Sequence, residues 1–424
     1  MLDLLVRGAR RVGDGAVVDI ACRDGRIVEV AERIEAPQST ATIEANGNLV
    51  TAPFVDSHFH LDSTLSYGRP RVNRSGTLHE GIALWGEFSG DLDGEEVKRR
   101  ARTLCHWAIA RGNLAIRSHV DISDPALVAA RALLELRGEL GAFIDLELVA
   151  FPQEGYLRNT AARDALDRAL DLGVDVVGGI PHFERTGAEG ARSVSLLCEL
   201  AADRGLKVDM HCDESDDPAS RHIETLVHET QRLGLEGRVT GSHLTSMHAM
   251  DNHFVSKLLP LMAEARVNAI ANPLINITLQ GRHDNYPKRR GMTRVKEMMA
   301  HGINVSFGHD CVMDPWYALG THDMLEVAHM GLHVGHMTGV DEMRACFDAV
   351  TVNGARTLGL EGYGLSEGCN ADMVILQAKD PIEALRTRAA RLHVIRRGRV
   401  IATTPRTAAT LSLGDEQIEV DFTL

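Results

Sequence analysis

The 424-residue chain contains no Cys-x-x-Cys pair, no apolar run long enough to cross a bilayer, and no excess of basic residues. Its seven cysteines (Cys22, Cys105, Cys198, Cys212, Cys311, Cys346 and Cys369) are scattered and odd in number, the usage of a reducing compartment rather than of a disulfide framework. Nowhere do about 18 uncharged apolar residues follow one another, which excludes a membrane-spanning helix. The N-terminal run Met1-Leu2-Asp3-Leu4-Leu5-Val6-Arg7 is too short for a secretory signal. These absences predict a cytoplasmic protein with no membrane partner. Lys and Arg number 45 against 59 Asp and Glu, a formal net charge of −14. Nucleic-acid binding rests on clustered cations that neutralise phosphates, so a polyanion partner is excluded and a free small molecule is the expected ligand. Low-complexity segments and solenoid-type repeats are also missing.

What is present is ordinary globular composition, 44% hydrophobic and 25% charged. The length exceeds a usual single core and predicts a large barrel beside a smaller domain. Residues 1–50 alternate short apolar runs with glycine-containing turns: Leu2 to Arg7, Ala16 to Cys22, Arg26 to Val30 and Ala41 to Glu44, with Asp24-Gly25 a hairpin turn. The same texture returns in 363–424, at 371–376, 393–396 and 400–402. Neither terminal segment holds enough apolar residues for its own core, so the two are expected to pair into one small β-sandwich.

Between them, in 51–362, apolar strands alternate with amphipathic helices. The expected strands are Leu49 to Val55, Asn113 to His119, Phe143 to Ala150, Val174 to Ile180, Leu206 to Met210, Arg238 to Gly241, Val267 to Ala271 and Ile303 to Phe307. This spacing implies parallel βαβ units closing into a (β/α)8 TIM-like barrel, whose active site lies at the C-terminal ends of its strands. Just past those ends stand His58 and His60, His119 and Asp121, Gln153 and Glu154, His182, His211 and Glu214, His243, Asn272, then His309 and Asp310.

In Asp56-Ser57-His58-Phe59-His60 the two histidines are two apart, so in extended chain they share a face and can converge on one ion. His58, His60, His211 and Asp310 together neutralise one of a divalent metal's two charges. They leave a Lewis acid that brings the pKa of a bound water to about 7 and so supplies a hydroxide nucleophile. Iron(II) and zinc both suit this donor set. Glu214, three residues beyond His211, is placed to shuttle a proton. Asp310 can accept the attacking water's proton, and His243 can orient the hydroxide. Gln153 offers the donor and acceptor that complement a ring amide, and Phe151 and Trp316 can sandwich a flat ring. His119, Asp121 and His182 are expected to be supporting or structural. The basic segment Gln280 to Gly291 is expected to be a lid or subunit contact, since no Gly-rich phosphate cradle accompanies it.

At these residues the chain resembles the amidohydrolase superfamily and, within it, the bacterial cytosine deaminases. The resemblance runs through Asp56 to Asp62, Phe151 to Gly155, Ile180 to Glu184, His211 to Glu214, Ser242-His243, Asn272 to Leu274, Gln280 to Arg282, Tyr286 to Gly291 and Gly308-His309-Asp310. It implies a mononuclear iron or zinc site on His58, His60, His211 and Asp310, with Glu214 as proton shuttle, His243 as water-orienting residue and Gln153 as base-recognising amide. It further implies a homo-oligomer, a hexamer. Binuclear relatives use a carboxylated lysine after the fourth strand, and Val174 to His182 contains no lysine.

The implied reaction is hydrolytic deamination of cytosine or 5-methylcytosine at C4, giving uracil or thymine and ammonia, by metal-hydroxide attack. The alternatives are a deaminase of isocytosine or isoguanine, a cyclic-amide hydrolase on the same barrel, and a non-catalytic metal-binding barrel. One departure bears on the choice of base. Cytosine deaminases follow Gly-His-Asp with a second Asp, which lies near C5 of the pyrimidine, whereas this chain has Cys311. A compact thiol removes a desolvation cost and makes room, so a 5-methyl group is expected to be accepted.

Overall fold

The computed structural model describes residues 2–35 and 41–424; Met1 of the N-terminal run and residues 36–40 of the 1–50 segment lie outside them. At the centre run eight strands: β1 (Phe54–Phe59), β2 (Asn113–Asp121), β3 (Asp145–Phe151), β4 (Val176–Gly179), β5 (Lys207–Cys212), β6 (Val239–His243), β7 (Asn268–Ala271) and β8 (Val305–Phe307). Each pairs in parallel with the next in chain order. The ring closes through the residues that follow β1 and β8. The Asp310 N–H donates to the His58 carbonyl at 2.9 Å, and the His60 N–H donates to the Asp310 carbonyl at 3.1 Å. Helices such as Gly94–Ala110, Val128–Leu140, Ala162–Asp171, Gly187–Arg204 and His222–Arg232 join the strands and bury their apolar stripes against them.

The expected first strand, Leu49 to Val55, is corrected by the structure. Leu49–Thr51 belongs to the terminal sheet, paired with Met373–Leu376, and β1 starts at Phe54. Ala52 and Pro53 separate the two strands. Proline has no N–H to give a ladder, so the chain changes sheet there. The terminal sheet takes Leu4–Arg11, Val17–Arg23, Arg26–Ala31, Ala41–Glu44 and Leu49–Thr51 from one end of the sequence, and Met373–Leu376, Arg391–Arg396 and Arg399–Thr403 from the other. It encloses its own apolar core, with Ile20, Val50, Met373, Ile375 and Ile395. The turn at Asp24-Gly25 has φ of +50° and +73°, as a two-residue hairpin requires. A second hairpin, Ala409–Leu413 with Glu416–Val420, follows as a separate sheet.

Inside the barrel, side chains two apart on a strand point the same way and stack in layers. Arg117 on β2 forms the floor. Its guanidinium donates to Asp209 at 2.9 Å, to Glu147 at 2.6 Å and to the Thr357 carbonyl at 3.1 Å, fully out of water. One step up on the same faces come His119 (β2), His211 (β5) and His58 (β1). The basic floor and the histidine layer are therefore products of the two-residue period.

Candidate metal centre and substrate cavity

His58 is the fifth residue of β1 and His60 lies just past its end; His211 is the fifth residue of β5, and Asp310 follows β8. The structure brings all four together. His60 Nε2 and His211 Nε2 lie 3.1 Å apart, and Asp310 Oδ1 lies 3.6 Å from His58 Nε2 and 3.5 Å from His60 Nε2. Ligands about 2.1 Å from a tetrahedral ion are about 3.4 Å from one another, so these separations suit four donors around one cation. Neither ring nitrogen of buried His58 finds a hydrogen-bond partner among the described residues. Burial lowers the pKa of His58 and His211 well below the usual histidine value, and that of His60 to about 3, so all three imidazoles present free lone pairs. The donor set thus fits one divalent transition metal. A second grouping, His58 with His119 and Asp209, does not extend it, because Asp209 is committed to Arg117 and, at 2.6 Å, to the Ser242 hydroxyl.

Backbone geometry holds these groups in place. Asp310 and His243 have φ of +69° and +70°, conformations that non-glycine residues adopt only where their surroundings compel them. For Asp310 the compulsion is the barrel seam, where its N–H and carbonyl are both bonded. Asp56 Oδ1 adds to the seam by accepting the N–H groups of His58 and His309, each at 3.1 Å. Gly308 allows the close approach: a Cβ there would fall 2.5 Å from Asn272 Oδ1 and 2.7 Å from the His58 Cβ.

Glu214 stands beyond His211 with Oε1 3.5 Å from His243 Nδ1, and His243 Nε2 lies 3.8 Å from Asp310 Oδ2. Burial pushes the Glu214 carboxyl up to about 8. Burial first, then the neighbouring Glu214 and Asp314 carboxyls, raise Asp310 well above the carboxylate range, and a divalent cation held by the three histidines would return it to the ionised form. Asn276 orients His243: its Oδ1 accepts the Asn272 N–H at 3.0 Å, which leaves its NH2 facing His243 Nδ1 at 3.0 Å.

A cavity of about 470 Å³ opens over this cluster, lined by His60, His211, Glu214, His243, Asp310, Gln153, Cys311 and Trp316. Phe151, expected against a substrate ring, is placed differently. It stacks face to face on the His211 imidazole, with centroids 4.1 Å apart and planes at 16°, behind the cluster and not on the cavity wall. At the end of β3 its side chain falls in the same layer as the histidines, and an apolar ring fills that layer. His119 is buried below the cluster and Asp121 accepts the Trp85 indole N–H at 2.7 Å, while His182 reaches the cavity wall. His309 turns away and packs on His322. From the basic segment, Gln280, Arg282 and His283 reach the mouth.

Sequence reasoning assigns nothing to helix Leu78–Ser89, whose Leu78, His79 and Ile82 line the cavity. A signal was available in Thr77-x-x-Glu80: the Thr77 side chain caps the helix by accepting the Glu80 N–H. Asn276 carried no such signal, because its role depends on where the short helix Pro273–Leu279 falls.

Residues 41–403 match the profile of the amidohydrolase family. A crystal structure of 5-methylcytosine deaminase from Klebsiella pneumoniae, liganded with 5-fluorocytosine, superposes with a TM-score of 0.92 at 42% identity, covering 95% of this chain and 98% of that one. N-isopropylammelide isopropylaminohydrolase from Burkholderia multivorans superposes with a TM-score of 0.83 at 26% identity, covering 95% of this chain and 99% of that one. In sequence, pterin deaminase from Rhizobium rhizogenes is 27% identical over 388 residues, 90% of this chain and 87% of that protein.

Proposed function

Because the chain belongs to the amidohydrolase family and is a metal-dependent hydrolase acting on C–N bonds, we propose that it deaminates a free pyrimidine base at C4 and that it accepts 5-methylcytosine. The observation that carries this reading is the cavity wall beside Asp310. There Cys311 packs with Trp316, Ile275, Leu279 and Trp85 in one apolar cluster. Burial, then the charges of Asp310 and Asp314, pushes the Cys311 thiol well above its usual range, so it stays neutral and compact. A 5-methyl group against that wall meets no charge to desolvate. The similarity to a 5-methylcytosine deaminase at 42% identity supports the same choice.

In this reading His58, His60, His211 and Asp310 would hold a divalent transition metal, iron or zinc, which would supply Lewis acidity that makes water nucleophilic at neutral pH. Gln153, on the cavity wall, pairs its amide with the ring's N1/O2 edge. Glu214, whose buried carboxyl keeps its proton at neutral pH, hands that proton to N3. Asp310 takes a proton from the attacking water. His243, fixed by Asn276, steadies the developing hydroxyl at C4. As the C4 carbonyl forms, Glu214 takes up the C4 hydroxyl proton and delivers it to the departing amine, and the proton left on Asp310 recharges Glu214, so that one water is consumed and one ammonia released. Gln280, Arg282 and His283 border the entrance and limit access by bulk water.

The test is amine release from a panel of free bases by enzyme of defined metal content, read as ammonia for cytosine, 5-methylcytosine, isocytosine, isoguanine and a pterin, and as isopropylamine for N-isopropylammelide. Turnover of 5-methylcytosine at least comparable with cytosine, and above the others, is expected. Consumption of a ring amide without ammonia, or activity confined to the pterin or triazine, rejects the reading.

A further inference from the structure

Gly81 is buried four residues into helix Leu78–Ser89, a position where glycine is disfavoured relative to alanine. A Cβ built there would lie 2.3 Å from Trp316 Cδ1, 2.5 Å from its Nε1 and 2.9 Å from its Cγ. Gly86, in the same helix, has nothing within 4 Å of its Cβ position. The two glycines therefore differ in kind: only at 81 does the helix lie directly on an aromatic ring.

That ring is part of the cavity wall, and its backbone is anchored. Asp314 Oδ1 accepts the N–H groups of Trp316 and Tyr317, each at 2.9 Å, and Asn73 donates to the Pro315 carbonyl at 3.1 Å. The indole belongs to a packed cluster with Trp85, Ile275, Leu279 and Cys311, against which Leu78, Ile82 and Tyr317 also pack, and the His60 ring lies 6.4 Å from it between centroids. Close-packed interiors do not yield to an added methyl, whereas the cavity is open space. A side chain at 81 would thus drive the indole into the cavity, beside Cys311.

We infer that Gly81 is a specificity-determining position: by lacking a side chain it lets Trp316 lie back under helix Leu78–Ser89, which preserves the depth that a 5-substituted pyrimidine needs. This rests on the reading that the 5-substituent sits beside Cys311.

The experiment compares metal-loaded wild type with Gly81→Ala, Gly86→Ala, Trp316→Leu and the double variant Gly81→Ala/Trp316→Leu. It reads Tm together with kcat/KM for cytosine and 5-methylcytosine. Gly86→Ala is expected to raise Tm and leave both kcat/KM values unchanged. Gly81→Ala is expected to lower Tm and to cut kcat/KM for 5-methylcytosine about tenfold more than for cytosine, the scale of a misfitted methyl group. With Trp316→Leu as the starting point, adding Gly81→Ala is expected to raise Tm, since only the helix preference remains. Gly81→Ala behaving like Gly86→Ala in both readouts overturns the inference. Should Gly81→Ala alone fail to fold, the double variant decides: a Tm at or above that of Trp316→Leu upholds the contact, and one below it overturns it. No ammonia from either base with the wild type ends the substrate reading, while the Tm cycle still decides the Gly81–Trp316 contact.

Discussion

The Nε2 atoms of His60 and His211 face each other at 3.1 Å, on rings that burial keeps uncharged. At that distance the pair either shares one N–H as a hydrogen bond or, with both rings carrying their proton on Nδ1, aims two lone pairs at a single cation. Stripping the protein with a chelator is expected to abolish turnover and lower Tm. A ligand present at 1,000 times its dissociation constant stabilises by about 4 kcal/mol, and re-addition of iron(II) or zinc is expected to restore both. Metal analysis with calorimetry checks it, as does His211→Ala, which is expected to retain no metal. Full activity in metal-free protein would sink the proposed centre.

Glu214 is the only carboxyl in the proposed machinery assigned no metal bond. Glu214→Gln keeps the shape and removes the transferable proton. Positioned proton transfer contributes roughly 10²- to 10⁴-fold, and kcat is expected to fall within that range while 5-methylcytosine binding, measured by titration calorimetry, changes only a few-fold. Equal losses in binding and turnover would make Glu214 a packing residue.

Cys311→Asp restores a charge to the apolar wall. Placing a carboxylate against a methyl group costs the desolvation that the thiol avoids. The ratio of kcat/KM for 5-methylcytosine to that for cytosine is expected to drop about tenfold or more. An unchanged ratio places the 5-substituent elsewhere in the cavity.

Arg117 is a buried cation whose removal leaves buried Asp209 without a cation, holding only the Ser242 hydroxyl among the described residues, while Glu147 keeps Lys207. Breaking one partner of a buried pair costs about 3–5 kcal/mol. Arg117→Met is expected to lower the denaturation midpoint in urea by a corresponding amount, with the histidine layer above it loosened.

Glu80 anchors the chain before helix Leu78–Ser89. Its carboxylate is held at about 2 by the Ser75 side chain first, then by the backbone N–H groups of Ser75 and Arg74. A depressed carboxyl stabilises above its unfolded pKa, and that contribution fades as pH falls from about 4.5 toward 2. The expected signature is a loss of stability across that window that Glu80→Gln lacks, read from Tm against pH.

Much of the architecture is legible without coordinates. Eight apolar stretches separated by helical ones dictate a parallel barrel, and the Asp24-Gly25 turn dictates its hairpin. Leu49 to Val55 misleads because a strand of one sheet and a strand of another are both apolar; only the Pro53 N–H that is missing from a ladder marks the boundary. Phe151 shows the same limit in the site. Its position at a strand end is readable, but whether the ring faces the cavity or the back of His211 depends on which residues share its layer.

What the amino-acid order determined by itself is the list of chemically able groups and their order around a ring: periodicity two puts His58 with His60, and the strand-end rule puts His211 and Asp310 near them. Only the tertiary structure decided that His60 and His211, 151 residues apart, stand 3.1 Å from each other, that Asp310 is bonded into the barrel seam, and that helix Leu78–Ser89 closes one wall. Local pattern specifies which face a side chain takes. Distances between faces are set by how the closed sheet and its covering helices pack, and no stretch of chain carries that information alone.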